Sequence, residues 1–382
     1  MLEALDRIDW SALSHAYGPA DDVPGLIRDL ASSAAEVRRQ AMHALYGNIW
    51  HQGTVYEATA YAVPFLIALL QEESVPDRDE ILVLLSHLAD GNSYLDVHQH
   101  LGIFQELYQD EMQTPEFQEK LEGELSGVRN AHRAVLEGIG VYGDLLDHPD
   151  RKLRVAATYT LAGFTERASQ IIPRLQARLA REPDAQVAAG LLLSLSVLVT
   201  PEPAMVQFFV DRLASEDRSL VRLAAAMALA RLAGTQTPRA AVNVLVQTIA
   251  NPAPLAALYQ ELPWANGDVV GDTSLFLARA GAPAAGHAIP ILIQALEQVS
   301  AFSALHIAEA LLALTFADPP WNQDATAQDL TAVQRQVLTG IGVSSNAWRF
   351  NVNMSEILQA FGLPDWPDKL QKFLEPGTMQ QP

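Results

Sequence analysis

The hydrophobic positions of the chain recur in two alternating patterns, and both have the period of an α-helix. In the first, a β-branched residue and a proline precede leucines at helical spacing. This octet occurs as VPGLIRDL (Val23–Leu30), VPFLIALL (Val63–Leu70), IPRLQARL (Ile172–Leu179) and IPILIQAL (Ile289–Leu296). Each octet predicts one amphipathic helix, which the proline either begins or kinks because it lacks an N–H.

The second pattern follows most of the octets and predicts a partner helix. It begins after an Asp, Glu or Ser with a Val or Leu, which Arg often follows. Four and eight positions after this Val or Leu stand an Ala, or once a Leu, and a Leu. Its clearest copies are Val37-Arg38 with Ala41 and Leu45, Leu153-Arg154 with Ala157 and Leu161, Val187 with Leu191 and Leu195, and Val221-Arg222 with Ala225 and Leu229. Successive copies at Leu153, Val187 and Val221 are 34 residues apart. Two helices and two short turns fill that length, and neither helix can bury its apolar face without stacked neighbours.

These paired patterns resemble HEAT repeats, in particular the bacterial HEAT-like proteins sometimes labelled after phycobilisome lyases, over roughly residues 20–90 and 148–316. The segments AYGPADDVPGLIRDLA and GNIWHQGTVYEATAYAVPFLIALL are also similar to the N-terminal region of bacterial HEAT-repeat proteins without an agreed activity. The resemblance implies an all-α fold, a right-handed α-solenoid of HEAT-like helix pairs.

Departures from the repeat divide the predicted solenoid into four segments of one continuous domain. We expect N-terminal repeats in residues 1–91 and an enlarged repeat in 92–147, with one long helix from Glu116 to Leu146. Further repeats follow in 148–317, and capping helices in 318–382. The last segment contains Pro319-Pro320-Trp321 and a predicted helix near Leu330–Ile341.

Charge and composition restrict the possible partners. The net charge is −20, lysine occurs only four times, and residues 72–127 alone carry −12. Nucleic-acid binding depends on clustered Lys and Arg, so we expect no nucleic-acid partner. The chain has no cysteine and no signal-peptide pattern in MLEALDRIDW, and its most apolar run, Val187–Val199, is too short to span a bilayer. We therefore expect a cytoplasmic protein that does not span a membrane.

One candidate site is the polar and aromatic stretch from Trp50 to Thr59. Its residues His51, Gln52, Tyr56 and Glu57 stand between two predicted helices, where solenoids often expose binding groups. A structural interpretation competes with binding. In it, Gly53 ends the first helix, and Thr54 with Glu57 forms a capping box for the second.

A second candidate is the face of the preceding helix, on which Arg39, His43, Tyr46 and Trp50 recur every three or four residues. If this face is exposed, its four side chains would form an anchor for a protein partner. The equivalent positions of a later repeat are Leu223 and Met227, so the same face could instead be buried between neighbouring repeats.

Catalytic and metal-binding motifs are missing from the sequence, and we expect no cofactor and no metal. His98 and His100 are two residues apart, so they would share a face only if they lay in a β-strand. The helical pattern here does not favour such a strand, and two histidines alone are weak evidence for a metal site. The sequence favours a non-catalytic scaffold that binds a protein partner, and a basic partner would complement the acidic segment. The alternatives are a toxin-immunity-type binding protein and a HEAT-like enzyme. A bilin lyase would use His43, His51, Tyr56 and Glu57, whereas a DNA glycosylase would need a basic groove.

Overall fold

The computed structural model describes residues 2–99, 110–316 and 326–375, and most of these residues are helical. The chain divides into two compact units, Met1–Arg181 and Glu182–Pro382. Each unit consists of helix pairs stacked side by side, so the fold is all-α and of the solenoid type, as the alternating patterns predict. The predicted segment boundaries near residues 91, 147 and 317 stay predictions.

The first unit combines stacked helices with two small β-hairpins. The strands of the first hairpin are β1 (Ser14–His15) and β2 (Gly18–Pro19), and those of the second are β3 (Trp50–His51) and β4 (Thr54–Val55). The helices are α1 (Val23–Asp29), α2 (Ala35–Asn48), α3 (Glu57–Gln71), α4 (Arg78–Ala89), α5 (Tyr94–His98), α6 (Pro115–Leu136), α7 (Ile139–Leu145), α8 (Arg151–Ala162) and α9 (Ala168–Leu179). Short 3-10 helices cover Leu2–Arg7, Trp10–Ala12, Glu111–Gln113 and Thr165–Arg167.

The second unit is a two-layered stack. Its helices are α10 (Ala185–Leu198), α11 (Pro203–Ser215), α12 (Ser219–Ala233), α13 (Arg239–Ala250), α14 (Ala253–Gln260), α15 (Val269–Arg279), α16 (Ala282–Ala295), α17 (Ala301–Thr315), α18 (Ala332–Val343), α19 (Asn351–Ala360) and α20 (Pro367–Leu374). Short 3-10 helices cover Gly234–Gln236, Ala327–Asp329 and Ala347–Phe350.

Packing joins helices that are not consecutive in the chain. In the second unit α10 packs on α12 and α15 on α17, two places apart, whereas in the first unit α3 packs on α6 and α4 on α8, with two and three helices between them in the chain. Helix α10 is buried on almost every side, from Gln186 to Ser196. A helix that is apolar all round belongs in the interior of a stack, which explains the unbroken run of leucines in its sequence.

All four proline octets lie in α-helices, which confirms the first predicted pattern. Pro24 stands in the first turn of α1, where its missing N–H needs no partner. Pro64, Pro173 and Pro290 lie inside α3, α9 and α16. The proline therefore begins the helix in the first octet and interrupts the hydrogen-bond ladder in the other three.

The arginine of the second pattern has a repeated structural role. Arg38 donates from Nη1 to the carbonyl oxygens of Ser32 (2.9 Å) and Ser33 (3.1 Å). Arg154 makes the equivalent bonds to His148 and Pro149, both 2.9 Å long, and Arg222 bonds to Glu216 O at 3.2 Å. The arginine thus satisfies carbonyl groups five and six residues earlier, in the turn that joins the paired helices.

The single long helix predicted from Glu116 to Leu146 is wrong, because the structure breaks it into α6 and α7 near Gly138. The Tyr142 side chain folds back over the break and donates its hydroxyl to Val135 O at 2.8 Å. A Cβ at Gly138 would collide with this ring. The glycine therefore lets a buried tyrosine satisfy a carbonyl at the end of α6.

The predicted C-terminal helix near Leu330–Ile341 corresponds to α18, and α20 lies in the segment GLPDWPDKLQKFL. Pro319-Pro320-Trp321 lie outside the described residues. Among the described residues no single helix is both long and apolar enough to cross a membrane. One pair, α13 and α14, passes the same test only when combined, and a bend of 93° separates its two members.

Candidate functional site

The stretch from Trp50 to Val55 forms a β-hairpin rather than the end of a helix. Strands β3 and β4 are joined by Gln52 and Gly53, whose φ angles are +51° and +92°. Two positive φ angles are the signature of the tight turns that suit the twist of paired strands. Gly53 is therefore a hairpin glycine, and its predicted role as a helix end is wrong.

The second predicted structural role, a capping box of Thr54 and Glu57, is also wrong. Thr54 lies in β4, and its hydroxyl donates to His51 O at 2.7 Å. The start of α3 is held by Thr59, whose Oγ1 accepts from the Tyr56 N–H at 3.0 Å and donates to Ile49 O at 2.7 Å. Thr59 therefore ties the start of α3 to the end of α2, on either side of the hairpin.

A groove of about 920 Å³ opens beside this hairpin within the first unit. One wall consists of the hairpin and the first turns of α3, and the opposite wall is α6. We call it the tyrosine groove. Its lining residues are Ser14, Ala16, His51, Val55, Tyr56, Glu57, Ala60, Tyr61, Tyr94, Lys120, Gly123, Glu124, Ser126, Gly127 and Asn130.

Small residues on α6 give the groove its depth. A Cβ on Gly127 would come within 3.9 Å of the Tyr56 backbone, so this glycine lets α6 approach the start of α3 closely. A Cβ on Gly123, one turn earlier, would meet nothing within 4 Å. Gly123 therefore faces the open space of the groove, and the missing side chain leaves room for a ligand.

Tyrosines surround the groove and keep large exposed surfaces. Tyr61 and Tyr94 in its lining are 46% and 45% exposed, and the neighbouring Tyr17 is 70% exposed. Tyr17 packs edge-on against the His51 ring, with its hydroxyl 3.4 Å from His51 Nδ1. Tyr56 is half-buried, with its hydroxyl 2.9 Å from Thr54 Oγ1, and burial raises the pKa of its phenol. The tyrosines offer aromatic faces and hydroxyl groups to a ligand.

The charged residues of the lining are two carboxylates and one lysine. Glu124 Oε2 accepts from Ser93 Oγ at 2.8 Å and from the Leu95 N–H at 2.9 Å, and so fixes the start of α5 against α6. Glu57 is exposed in the first turn of α3, and Lys120 is exposed on α6. The groove is therefore slightly acidic, and most of its α6 wall belongs to residues 72–127, the most acidic part of the sequence.

Tyr46 and Trp50 belong to a separate, half-buried aromatic cluster around His87. The Tyr46 hydroxyl lies 3.0 Å from His87 Nδ1, and the Tyr159 hydroxyl lies 3.4 Å from His87 Nε2. The Trp50 ring centre is 5.5 Å from that of His87. Burial lowers the pKa of His87 and raises the pKa of both tyrosines, so the neutral forms are favoured throughout. The cluster joins α2, α4 and α8 through neutral hydrogen bonds.

The structure therefore separates the predicted site residues. His51, Tyr56 and Glu57 meet in the tyrosine groove, whereas Tyr46 and Trp50 lie in the His87 cluster. Arg39, which pairs with Glu36, and His43 are exposed on α2, and Gln52 is exposed at the hairpin turn. His43 does not line the groove that holds the other three residues proposed for a lyase.

The candidate site residues chosen from the sequence do not include Tyr61, Tyr94 and Gly123. Tyr61 was hidden inside an apparently ordinary apolar helix, and its exposure follows from a helix face that no neighbour covers. Tyr94 and Gly123 come from the enlarged repeat, whose folding against α3 no local pattern indicates. A glycine in the middle of a strong helix pattern was the one available signal.

No group of three His, Cys, Asp or Glu side chains that could hold a metal occurs among the residues that the structure describes. His98 stacks on Tyr94, with their ring centres 3.9 Å apart, and its Nδ1 lies 2.8 Å from Tyr94 O. His100 lies outside the described residues.

Comparison with known proteins supports a HEAT-repeat protein. Residues 142–230 match the family model of HEAT repeats, a segment that runs from α7 into α12. No curated protein matches the sequence.

Solved structures give two further likenesses. An engineered protein is 18% identical, with 94% of this chain and 90% of that chain covered and a TM-score of 0.34. Kap121p bound to Nup53p is 14% identical, with 98% of this chain covered and a TM-score of 0.36. The match spans 45% of Kap121p. At these scores the two likenesses do not define a common fold, which stands on the helix pairs described above.

Proposed function

We propose that this protein is a non-catalytic scaffold that binds an extended segment of a protein partner in the tyrosine groove. Helical-repeat solenoids are typical of protein-interaction scaffolds, because stacked helix pairs create long binding surfaces. The observation that carries the proposal is the pair of exposed tyrosines, Tyr61 and Tyr94, in the lining of a groove that Gly123 leaves open.

Tyrosine is well suited to such a contact. Its ring supplies a large contact area at a small cost in conformational entropy, and its hydroxyl forms hydrogen bonds with a peptide backbone. The groove walls are also held in place before any partner arrives. Thr59 fixes the start of α3, and Glu124 fixes the start of α5. A preorganised groove loses less entropy when it binds.

The charges favour a basic segment as the occupant. Glu57 and Glu124 outnumber Lys120 in the lining, and Glu116 and Glu119 are exposed along α6. Carboxylates on this side of the groove would attract Lys and Arg and increase the rate of association at low salt. An extended basic peptide with one or two apolar side chains fits both the charge and the aromatic walls.

Selection from a random peptide library displayed on phage tests this proposal. We expect the purified chain to enrich peptides that carry Lys or Arg next to apolar residues. The double variant Tyr61→Ala/Tyr94→Ala should bind these peptides at least tenfold more weakly. A control variant, Phe350→Ala, removes an equally exposed aromatic side chain in the second unit and should bind normally.

Two results would argue against the groove. Either the library yields no enriched sequence, or the peptides bind both variants as tightly as the wild type. Enrichment of acidic peptides would leave the groove in place but refute the proposed charge complementarity.

A further inference from the structure

A second and smaller pocket lies wholly inside the second unit, between α10, α12 and α15. Its volume is about 230 Å³. It is lined by Leu193, Ser196, Met227, Arg231, Tyr259, Trp264, Asn266, Asp272, Leu275, Phe276 and Arg279. A cavity of about 150 Å³ can hold benzene, so this pocket has room for one ring with a small substituent.

Two arginines share one aromatic ring in this pocket. The Cζ atoms of Arg231 and Arg279 lie 5.8 Å and 6.0 Å from the centre of the Phe276 ring. Both distances are within the range of a cation–π contact, so the ring orients both guanidinium groups. The two guanidinium carbons are consequently no more than about 12 Å apart, the sum of the two distances.

Neither arginine has a carboxylate partner in the described part of the chain, although the protein carries a net charge of −20. By contrast, Arg218 pairs with Glu216, Arg174 with Asp144, and Arg181 with Asp147. Both guanidinium groups reach solvent, although partial burial of Arg231, and then the positive charge of Arg279, lower the pKa of the Arg231 guanidinium. An anion from solvent can therefore bind to them without displacing an internal carboxylate.

The one acid of the pocket is already committed to the wall. Asp272 Oδ2 accepts from the Tyr259 hydroxyl at 2.9 Å and from the Asn266 N–H at 2.8 Å. Asp272 Oδ1 lies 3.5 Å from His306 Nδ1. These contacts stabilise the buried carboxylate where it stands, so Asp272 fixes the loop before α15 rather than neutralising the arginines.

We propose that this pocket binds a small molecule that carries one oxyanion, a carboxylate or a phosphate monoester, on an apolar body about the size of one ring. The guanidinium forks of Arg231 and Arg279 bind the oxyanion, since their planar donors match carboxylate and phosphate oxygens. Leu193, Met227 and Leu275 contact the apolar body. The site is independent of the tyrosine groove, because every residue that forms it belongs to the second unit.

Isothermal titration of the whole chain at low salt tests the site, with benzoate and phenyl phosphate as probes. We expect at least one of them to bind with a stoichiometry of one, and the tighter of the two identifies the preferred head group. Arg231→Gln and Arg279→Gln should each weaken that binding about tenfold, the usual effect of losing a charged hydrogen bond. Arg239→Gln makes the same change of charge on α13, outside the pocket, and should have no effect. Equal melting temperatures would show that all three variants fold, which we expect because all three arginines are exposed.

Several outcomes would overturn the proposal. Neither probe binds, or both arginine variants bind as tightly as the wild type. If inorganic phosphate binds as tightly as phenyl phosphate, the apolar body has no role. If benzylamine binds as tightly as benzoate, Asp272 rather than the arginine pair dominates the pocket.

Discussion

Gly123 provides the sharpest prediction, because a substitution there should weaken peptide binding without lowering stability. The residue lies in the interior of α6, where glycine destabilises a helix by about 0.5–1 kcal/mol relative to alanine. A Cβ at this position meets no atom within 4 Å. Gly123→Ala should therefore stabilise the first unit by about 0.5–1 kcal/mol. For a unit of this length that corresponds to a rise in melting temperature of about 1–4 °C.

Gly123→Gln should separate stability from binding. Glutamine is also a better helix former than glycine, so the melting temperature should stay at or above that of the wild type. Its longer side chain extends into the tyrosine groove and competes with the peptide. We expect peptide affinity to fall about tenfold or more, equivalent to a loss of at least about 1.4 kcal/mol. The added methyl of Gly123→Ala should change affinity much less.

Differential scanning calorimetry and fluorescence anisotropy with a library-selected peptide measure the two effects. Gly286→Gln is the matched control, since Gly286 lies inside α16 and a Cβ there also meets nothing within 4 Å. It should bind the peptide normally. Unchanged peptide affinity in Gly123→Gln would refute the assignment of the groove, and a lower melting temperature in Gly123→Ala would refute the open position of Gly123.

Three further predictions concern stability. His132 bonds to Glu166 Oε1 at 2.8 Å and to Ala89 O at 2.9 Å. Burial alone would lower the pKa of His132, but the hydrogen bonds to Glu166 and Ala89 outweigh burial, so the pKa is raised. The stability that protonated His132 contributes is therefore fully present below pH 6.5, its ordinary pKa, and is lost as the pH rises through the raised pKa of the folded protein. His132→Gln should consequently lower the melting temperature more near pH 5.5 than near pH 8.5. Arg154→Ala should cost about 3 kcal/mol in urea denaturation, because it leaves two carbonyl groups without their charged donor, whereas Lys152→Ala, at an exposed neighbouring position, should cost little. Tyr142→Phe should cost about 1 kcal/mol by leaving Val135 O without its buried donor, and an unchanged denaturation midpoint would contradict that role.

The repeat could be predicted from sequence because helical periodicity is a local property. The octets at Val23, Val63, Ile172 and Ile289 all lie in helices, and the stripes of the second pattern are largely buried. Stacking followed from the same argument, since a helix pair leaves apolar surface uncovered.

The groove could be predicted only in part. His51, Tyr56 and Glu57 were found because polar and aromatic residues between helices stand out. The hairpin was mistaken for a helix end, since Gly53 suits either role and the choice depends on the pairing of β3 with β4. Tyr94 and Gly123 lie opposite α3 only because α6 packs there, and that contact between distant segments leaves no local signal.

The separation of Tyr46 and Trp50 from the groove has a similar cause. Their spacing with Arg39 and His43 correctly indicated a shared helical face, yet it could not show that His87 and Tyr159 cover the far end of that face. The two alternatives left open by the sequence both apply, with Arg39 and His43 exposed and Tyr46 and Trp50 half-buried.

A crystal structure of the chain with a library-selected peptide tests the central claim most directly. The account predicts an extended peptide between Tyr61 and Tyr94, over Gly123, with a basic side chain near Glu57. A peptide bound elsewhere on the protein, with the groove empty, would contradict it.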